Sequence, residues 1–211
     1  MRLYTVPALT VLTITCLSAE PITFTFSSTD SGSIGGVAFA STSFTITAIA
    51  DTDNLVVNPP SCGCSSSLVD TSASISISGV GAFDFTTASQ VWISDTAGDG
   101  GFGQYSGTPS APVGPNLVSL FGIPSFAGWN ESSSLGPVTS TAQDISQWSL
   151  AFLPVVTSGG TLVLDDNSTS PVTFQASTSQ SPEPSSLAFM VIISAAIGIA
   201  KGLKSARTLV G

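Results

Sequence analysis

Apolar and polar residues alternate with a period of two along much of the chain. In Ile22-Thr23-Phe24-Thr25-Phe26 the large apolar side chains fall on one face and the threonines on the other. Phe44, Ile46 and Ala48 repeat the pattern within 44–50. Ile75 and Ile77 alternate with Ser74 and Ser76, break at Gly79 and Gly81, and give way to Phe83 and Phe85. The stretches 90–94, 161–166 and 171–177 add further short runs. Side chains two apart share one face of a strand, so such alternation predicts half-buried antiparallel strands. With Gly, Asn and Asp between the runs, the fold class expected is all-β: an antiparallel β-sandwich or jelly roll. The stretch 138–153, VTSTAQDISQWSLAFL, admits one short helix, and no internal repeat of fixed period is visible.

The alternation lapses between Asp95 and Trp129. This region is rich in Gly and Pro (DTAGDGGFGQYSGTPSAPVGPN over 95–116) and reads as a long mobile loop. Both ends of the chain depart from the pattern in another way. At the start, Arg2 precedes a short apolar stretch, Val6 to Leu17, and small Ser18-Ala19 precede Glu20. This is the layout of a secretory signal peptide cleaved before Glu20. Near the other end, Leu187 to Ala200 carries no charge. Continued to Leu203 with Lys201 snorkelling, it spans roughly 25 Å at ~1.5 Å per residue, enough for a thin bilayer. Lys201, Lys204 and Arg207 follow as a membrane stop, and the positive-inside rule keeps them cytoplasmic with everything before Leu187 outside. The organisation expected is a signal peptide (1–19), a β-sandwich ectodomain (20–178), a polar linker (179–186), one transmembrane helix (187–203) and a basic cytoplasmic tail (204–211).

Pro182-Glu183-Pro184, the small Ser185-Ser186, the apolar segment and the basic tail, in that order and paired with an N-terminal leader, resemble the PEP-CTERM sorting signal. The resemblance covers the two ends of the chain only. It implies an exosortase-type processing enzyme as partner, recognition at Pro182, Glu183 and Pro184, and an inner-membrane-anchored precursor. It further implies removal of the helix and delivery to the bacterial cell surface or an exopolysaccharide matrix. A small-residue spacer before an apolar tail also suits a lipid-anchor signal, which the basic tail and the PEP triplet disfavour.

Charge then excludes whole classes of chemistry. The chain has thirteen acids against four basic residues, a net charge of −9, and no His. Between Leu3 and Ala200 there is no Lys or Arg either. A nucleic-acid interface needs cations to displace phosphate counterions, so nucleic acid is not an expected partner. Ser-His-Asp and Cys-His catalysis, His-ligated zinc and lysine Schiff bases cannot be assembled. No cofactor, metal site or catalytic residue is expected, and the chain is not read as an enzyme.

Four constellations remain. Cys62 and Cys64 flank Gly63; the readings are a tight disulfide between them, an intermolecular bridge, or half of a redox or metal site. The clusters Asp51-Thr52-Asp53-Asn54, Asp95 with Asp99-Gly100, and Asp165-Asp166-Asn167 offer oxygen ligands to calcium, but turn chemistry asks for the same residues. Trp92, Trp129 and Trp148 with Tyr105 suit either a sugar-stacking surface or the core. Glu131 and Asp144 are the acids a carboxylate-only hydrolase would use, though nothing in the sequence places them together. The function expected is a structural or adhesive surface protein in contact with exopolysaccharide. The alternative is a carbohydrate-binding module assisted by calcium.

Overall fold

The chain is known from a computed structural model, which describes residues 20–58, 66–105, 107, 116–140, 142–145 (backbone only), 154–165 and 170–179. These belong to the compact unit Ala19–Ser179. The leader, Cys62 and Cys64, Trp148, the Pro182-Glu183-Pro184 motif, the apolar segment 187–203, and Lys201, Lys204 and Arg207 lie outside the described residues. Among the described residues no helix is long and apolar enough to cross a membrane.

Thirteen strands and two single 3-10 turns make up the described fold. In chain order the strands are β1 (Pro21–Ile34), β2 (Val37–Asp51), β3 (Val56–Val57), β4 (Ser66–Ile77), β5 (Gly81–Asp84), β6 (Ser89–Ser94) and β7 (Asp99–Gln104). There follow β8 (Asn116–Phe121), β9 (Leu135–Ser140), β10 (Ala142–Ile145), β11 (Val155–Thr157), β12 (Gly160–Leu164) and β13 (Val172–Thr178). The alternating runs lie in strands where they are described, apart from Phe85, Asp165 and Pro171 just beyond strand ends. The stretch 138–153, which admitted a helix, is strand at 138–140 and 142–145.

Every ladder is antiparallel, and the strands form one curled sheet in the order β10-β8-β7-β6-β4-β2-β1-β12-β11. β13 also pairs with β1 and carries β9 on its far side. The frame is the long hairpin β1–β2, closed by Gly35-Gly36 with Ile34 opposite Val37. Both glycines have positive φ (54° and 84°), as a two-residue turn matching strand twist requires. β4 changes partner along its length. Residues 70–77 pair with β2 and residues 66–69 with β6, and the β2 ladder slips between Ile49 and Ala50, opposite Ser72 and Asp70. Such a bulge bends a strand. Here it joins the β1–β2 portion of the sheet to the β6–β7–β8 portion.

The alternation buries Ile22, Phe24 and Phe26 of β1, Phe44, Ile46 and Ala48 of β2, Ile75 and Ile77 of β4, and Phe174 of β13. Phe174 lies at the centre of an aromatic cluster, its ring centroid 5.1 Å from Phe26, 5.2 Å from Phe126, 5.8 Å from Trp129 and 6.2 Å from Phe24.

The region read as one mobile loop, Asp95 to Trp129, holds two strands of the core instead, β7 and β8. Two of its glycines, Gly100 and Gly101, serve close packing. A Cβ on Gly101 would press on the Val118 carbonyl and the Trp92 indole; one on Gly100 would meet Ile93 Cδ1 at 2.7 Å and Phe126 Cε2 at 2.9 Å. Glycine in a strand marks such close approach as readily as it marks mobility.

Candidate functional site

Two acids lie inside the fold, Asp70 at the change of partner in β4 and Glu131 on a distant turn. Ser66, Leu68 and Asp70 share one face of the strand up to the bulge. Val69 pairs with Gln90, so the next residues outward, Asp70 and Ser89, face each other at the end of that ladder. Asp70 is half-buried as a residue, yet both of its carboxylate oxygens are shielded from solvent.

Glu131 comes from the turn before β9. Two hydrogen bonds tie that turn: Trp129 Nε1 donates to the Ser133 carbonyl (3.0 Å) and the Ser132 amide donates to Asn130 Oδ1 (3.2 Å). Glu131 itself takes a left-handed backbone, φ 55°, which costs a residue with a Cβ about 1 kcal/mol. That conformation accompanies a completely buried side chain, and the Ser66 hydroxyl donates a close hydrogen bond to Glu131 Oε1.

Between Leu3 and Ala200 the sequence has no Lys, Arg or His to compensate these charges. Burial therefore dominates. Desolvation, opposed by the Ser89 hydroxyl and reinforced by the Glu131 charge, pushes Asp70 up to about 8. Desolvation likewise raises Glu131 to about 7, against the stabilising Ser66 hydroxyl. A protonated Asp70 beside a Glu131 that titrates near neutrality can hold and release protons. Hydrolysis would also need a substrate at the carboxyls, and Glu131 is closed off from solvent. Among the described side chains, Asp70 is the acid whose titration Glu131 influences; Asp144 is on β10 and its side chain lies outside the described atoms.

Asp166 and Asn167 of the third acidic cluster lie outside the described residues, and several of the other candidates form turns and core. Asp51 Oδ1 accepts from the Asp53 amide (2.9 Å) and caps the 3-10 turn Thr52–Asn54. Asp99 Oδ1 accepts from the Gly122 amide (3.0 Å), stapling the two loops that border a surface depression of about 230 Å³ lined by Asp95, Gly98, Ile123 and Pro124. Among the described residues no group of three or more His, Cys, Asp or Glu is placed to hold a metal. Trp92 is buried with Nε1 donating to Asn116 Oδ1 (3.0 Å), and Trp129 packs against Phe24, Phe126 and Phe174. Neither forms part of an open sugar-stacking face with Tyr105.

What does face solvent is a sheet of hydroxyls. Opposite the buried aromatics, the pairings align Thr139, Thr173, Ser27, Thr45 and Ser76 in one cross-strand row over β9, β13, β1, β2 and β4. The next row is Gln175, Thr25, Thr47 and Ser74. Ser27 and Thr45 hydroxyls lie 3.0 Å apart, as do those of Thr139 and Thr173 at 3.1 Å. Strand geometry sets these groups about 4.8 Å apart across strands and about 6.8 Å apart along them. No charged side chain enters either row until Asp84 on β5, beyond Ser74. The alternation of Thr and Ser with apolar residues already implied this face; its extent over five strands depends on register, which the sequence does not display.

Comparison of the chain with protein-family models, curated proteins and solved structures finds no match.

Proposed function

We propose that this protein is an exported structural or adhesive component of the bacterial cell surface or exopolysaccharide matrix, built on a β-sandwich and not an enzyme. In this reading the leader 1–19 directs export, the segment 187–203 holds the precursor in the inner membrane, and Lys201, Lys204 and Arg207 stop it there. An exosortase-type enzyme then recognises Pro182-Glu183-Pro184. The observation that carries the role is the uncharged hydroxyl face across β9, β13, β1, β2 and β4. A surface that offers uncharged donors and acceptors, hydroxyls with the Gln175 amide among them, suits a neutral polyhydroxyl polymer, whose own groups exchange hydrogen bonds with it without an ion to desolvate. The acidic body adds repulsion from other polyanions.

Co-sedimentation of the full chain with an insoluble neutral glycan tests this. The double variant Thr25→Glu/Thr47→Lys places opposite charges on directly paired residues, so the fold is retained while the face loses its neutrality. Binding is expected to fall about tenfold, roughly 1.4 kcal/mol, with Tm nearly unchanged. Equal binding by variant and wild type would remove this face from the account.

A further inference from the structure

Glu131 is completely buried, although its neighbours Asn130, Ser132, Ser133 and Ser134 are all exposed. Its side chain runs inward from a left-handed backbone to the Ser66 hydroxyl at the start of β4. Oε1 accepts that one hydrogen bond, while Oε2 is shielded from solvent with no partner. Burial and Ser66 are the two influences on its titration. The titratable group that feels its charge is Asp70, further along β4, and no Lys, Arg or His occurs between Leu3 and Ala200 to face it from any other element. The other hydrogen bonds of the turn stay within it or reach β13. The Ser132 amide donates to Asn130 Oδ1, the Trp129 indole to the Ser133 carbonyl, and the Thr178 amide to the Ser134 hydroxyl. Among the described residues, the hydrogen bond from Ser66 to Glu131 is therefore what ties the turn to β4.

We propose that Glu131 is a pH-released latch: neutral, its side chain pins the turn 130–134 to the start of β4; charged, it withdraws, and the turn opens as a local unit while the sheet stays folded. A carboxylate buried without a cation is far less stable than its acid, so the charged form leaves by the smallest motion available. That motion is small here. Withdrawal breaks one hydrogen bond, lets a residue with a Cβ leave the left-handed region, and spares the β13–β9 ladder, which begins only at Leu135. Segments with few ties to the core open well below the free energy of global unfolding. The direction follows from burial. In the open turn the carboxyl titrates near its ordinary 4.5, and in the closed turn burial holds it at about 7. The latch is closed in acid. Opening grows about tenfold per pH unit between those two values and levels off above the second. The inference does not depend on the polysaccharide reading.

The sequence supplies the probe. Its three glutamates are Glu20, Glu131 and Glu183, and proline follows the first and the last, so a glutamate-specific endopeptidase can cut only after Glu131. That cut requires the side chain to leave the core and enter the protease. The full chain in detergent is digested in phosphate-free buffer at pH 5 and pH 7.5. A peptide of residues 126–136, assayed alongside, corrects for the pH dependence of the protease itself. Relative to that peptide, cleavage is expected to be about fiftyfold faster at pH 7.5 than at pH 5. Asp70→Asn is expected to keep the rise, which assigns it to Glu131. Parallel digestion with chymotrypsin should leave the buried Phe24, Phe26 and Phe174 uncut at both pH values. Equal relative rates at the two pH values, or no cleavage at either, would overturn the proposal. So would loss of the rise in Asp70→Asn. Chymotryptic cuts that keep pace with the cut after Glu131 would also overturn it, because the opening would then be global.

Discussion

Stability is expected to fall by several kcal/mol as the pH rises from 5 to 8. Asp70 and Glu131 bind protons more tightly in the folded state, to about 8 and about 7, than in the unfolded chain, where carboxyls titrate near their ordinary values of 3.8 and 4.5. Below those ordinary values both states are protonated, and the folded state is at its best. Above them the unfolded chain sheds protons that the folded one retains, so stability declines until the folded pKa values are passed. Each proton contributes about 1.4 kcal/mol per pH unit, and two act together between pH 5 and 7. Against a typical total of about 5–15 kcal/mol this is large. Asp70→Asn and Glu131→Gln are each expected to flatten the profile and, at pH 8, to exceed the wild type in stability. Urea unfolding across the pH range measures this. A wild-type profile that is flat or rises with pH would show that the carboxyls are not held neutral by burial.

Phe174→Ala is expected to cost about 3–5 kcal/mol, the range for removing a fully buried aromatic side chain. Its ring meets Phe24, Phe26, Phe126 and Trp129, contributed by β1, the 3-10 turn Pro124–Phe126 and the chain beyond it. A cavity there is bordered by separate elements that cannot collapse together. Thr173→Ala, on the opposite face of the same strand, is expected to stay within about 0.5 kcal/mol. Denaturant midpoints of the two variants compare them, and similar small losses in both would contradict the placement of the aromatic cluster.

The parts of the fold that were legible are those in which a local rule decides. Ile22 to Phe26, Phe44 to Ala50 and Val172 to Ser177 alternate because one face is buried, and the period alone reveals a strand. β7 escaped because Gly100, Gly101 and Gly103 carry no side chain to alternate; the reason for Gly100 and Gly101 is the proximity of Trp92, Ile93, Phe126 and Val118 in space. Asp70 left a trace that could have been followed. The apolar positions Leu68, Ala73, Ile75 and Ile77 slip by one between 68 and 73, which marks the bulge and puts Asp70 in an inward slot. Glu131 left none, since its burial depends on a turn backbone and on Ser66, distant in sequence. The Asp51 and Asp99 clusters, legible as turn formers, are used as such.

The central claim concerns where the protein goes, and the intact mass of the protein recovered outside its producing cells tests it most directly. The account predicts a chain that begins near Glu20 and stops close to Pro182-Glu183-Pro184. A recovered chain that still begins at Met1, or that retains Leu187 to Gly211, would contradict it.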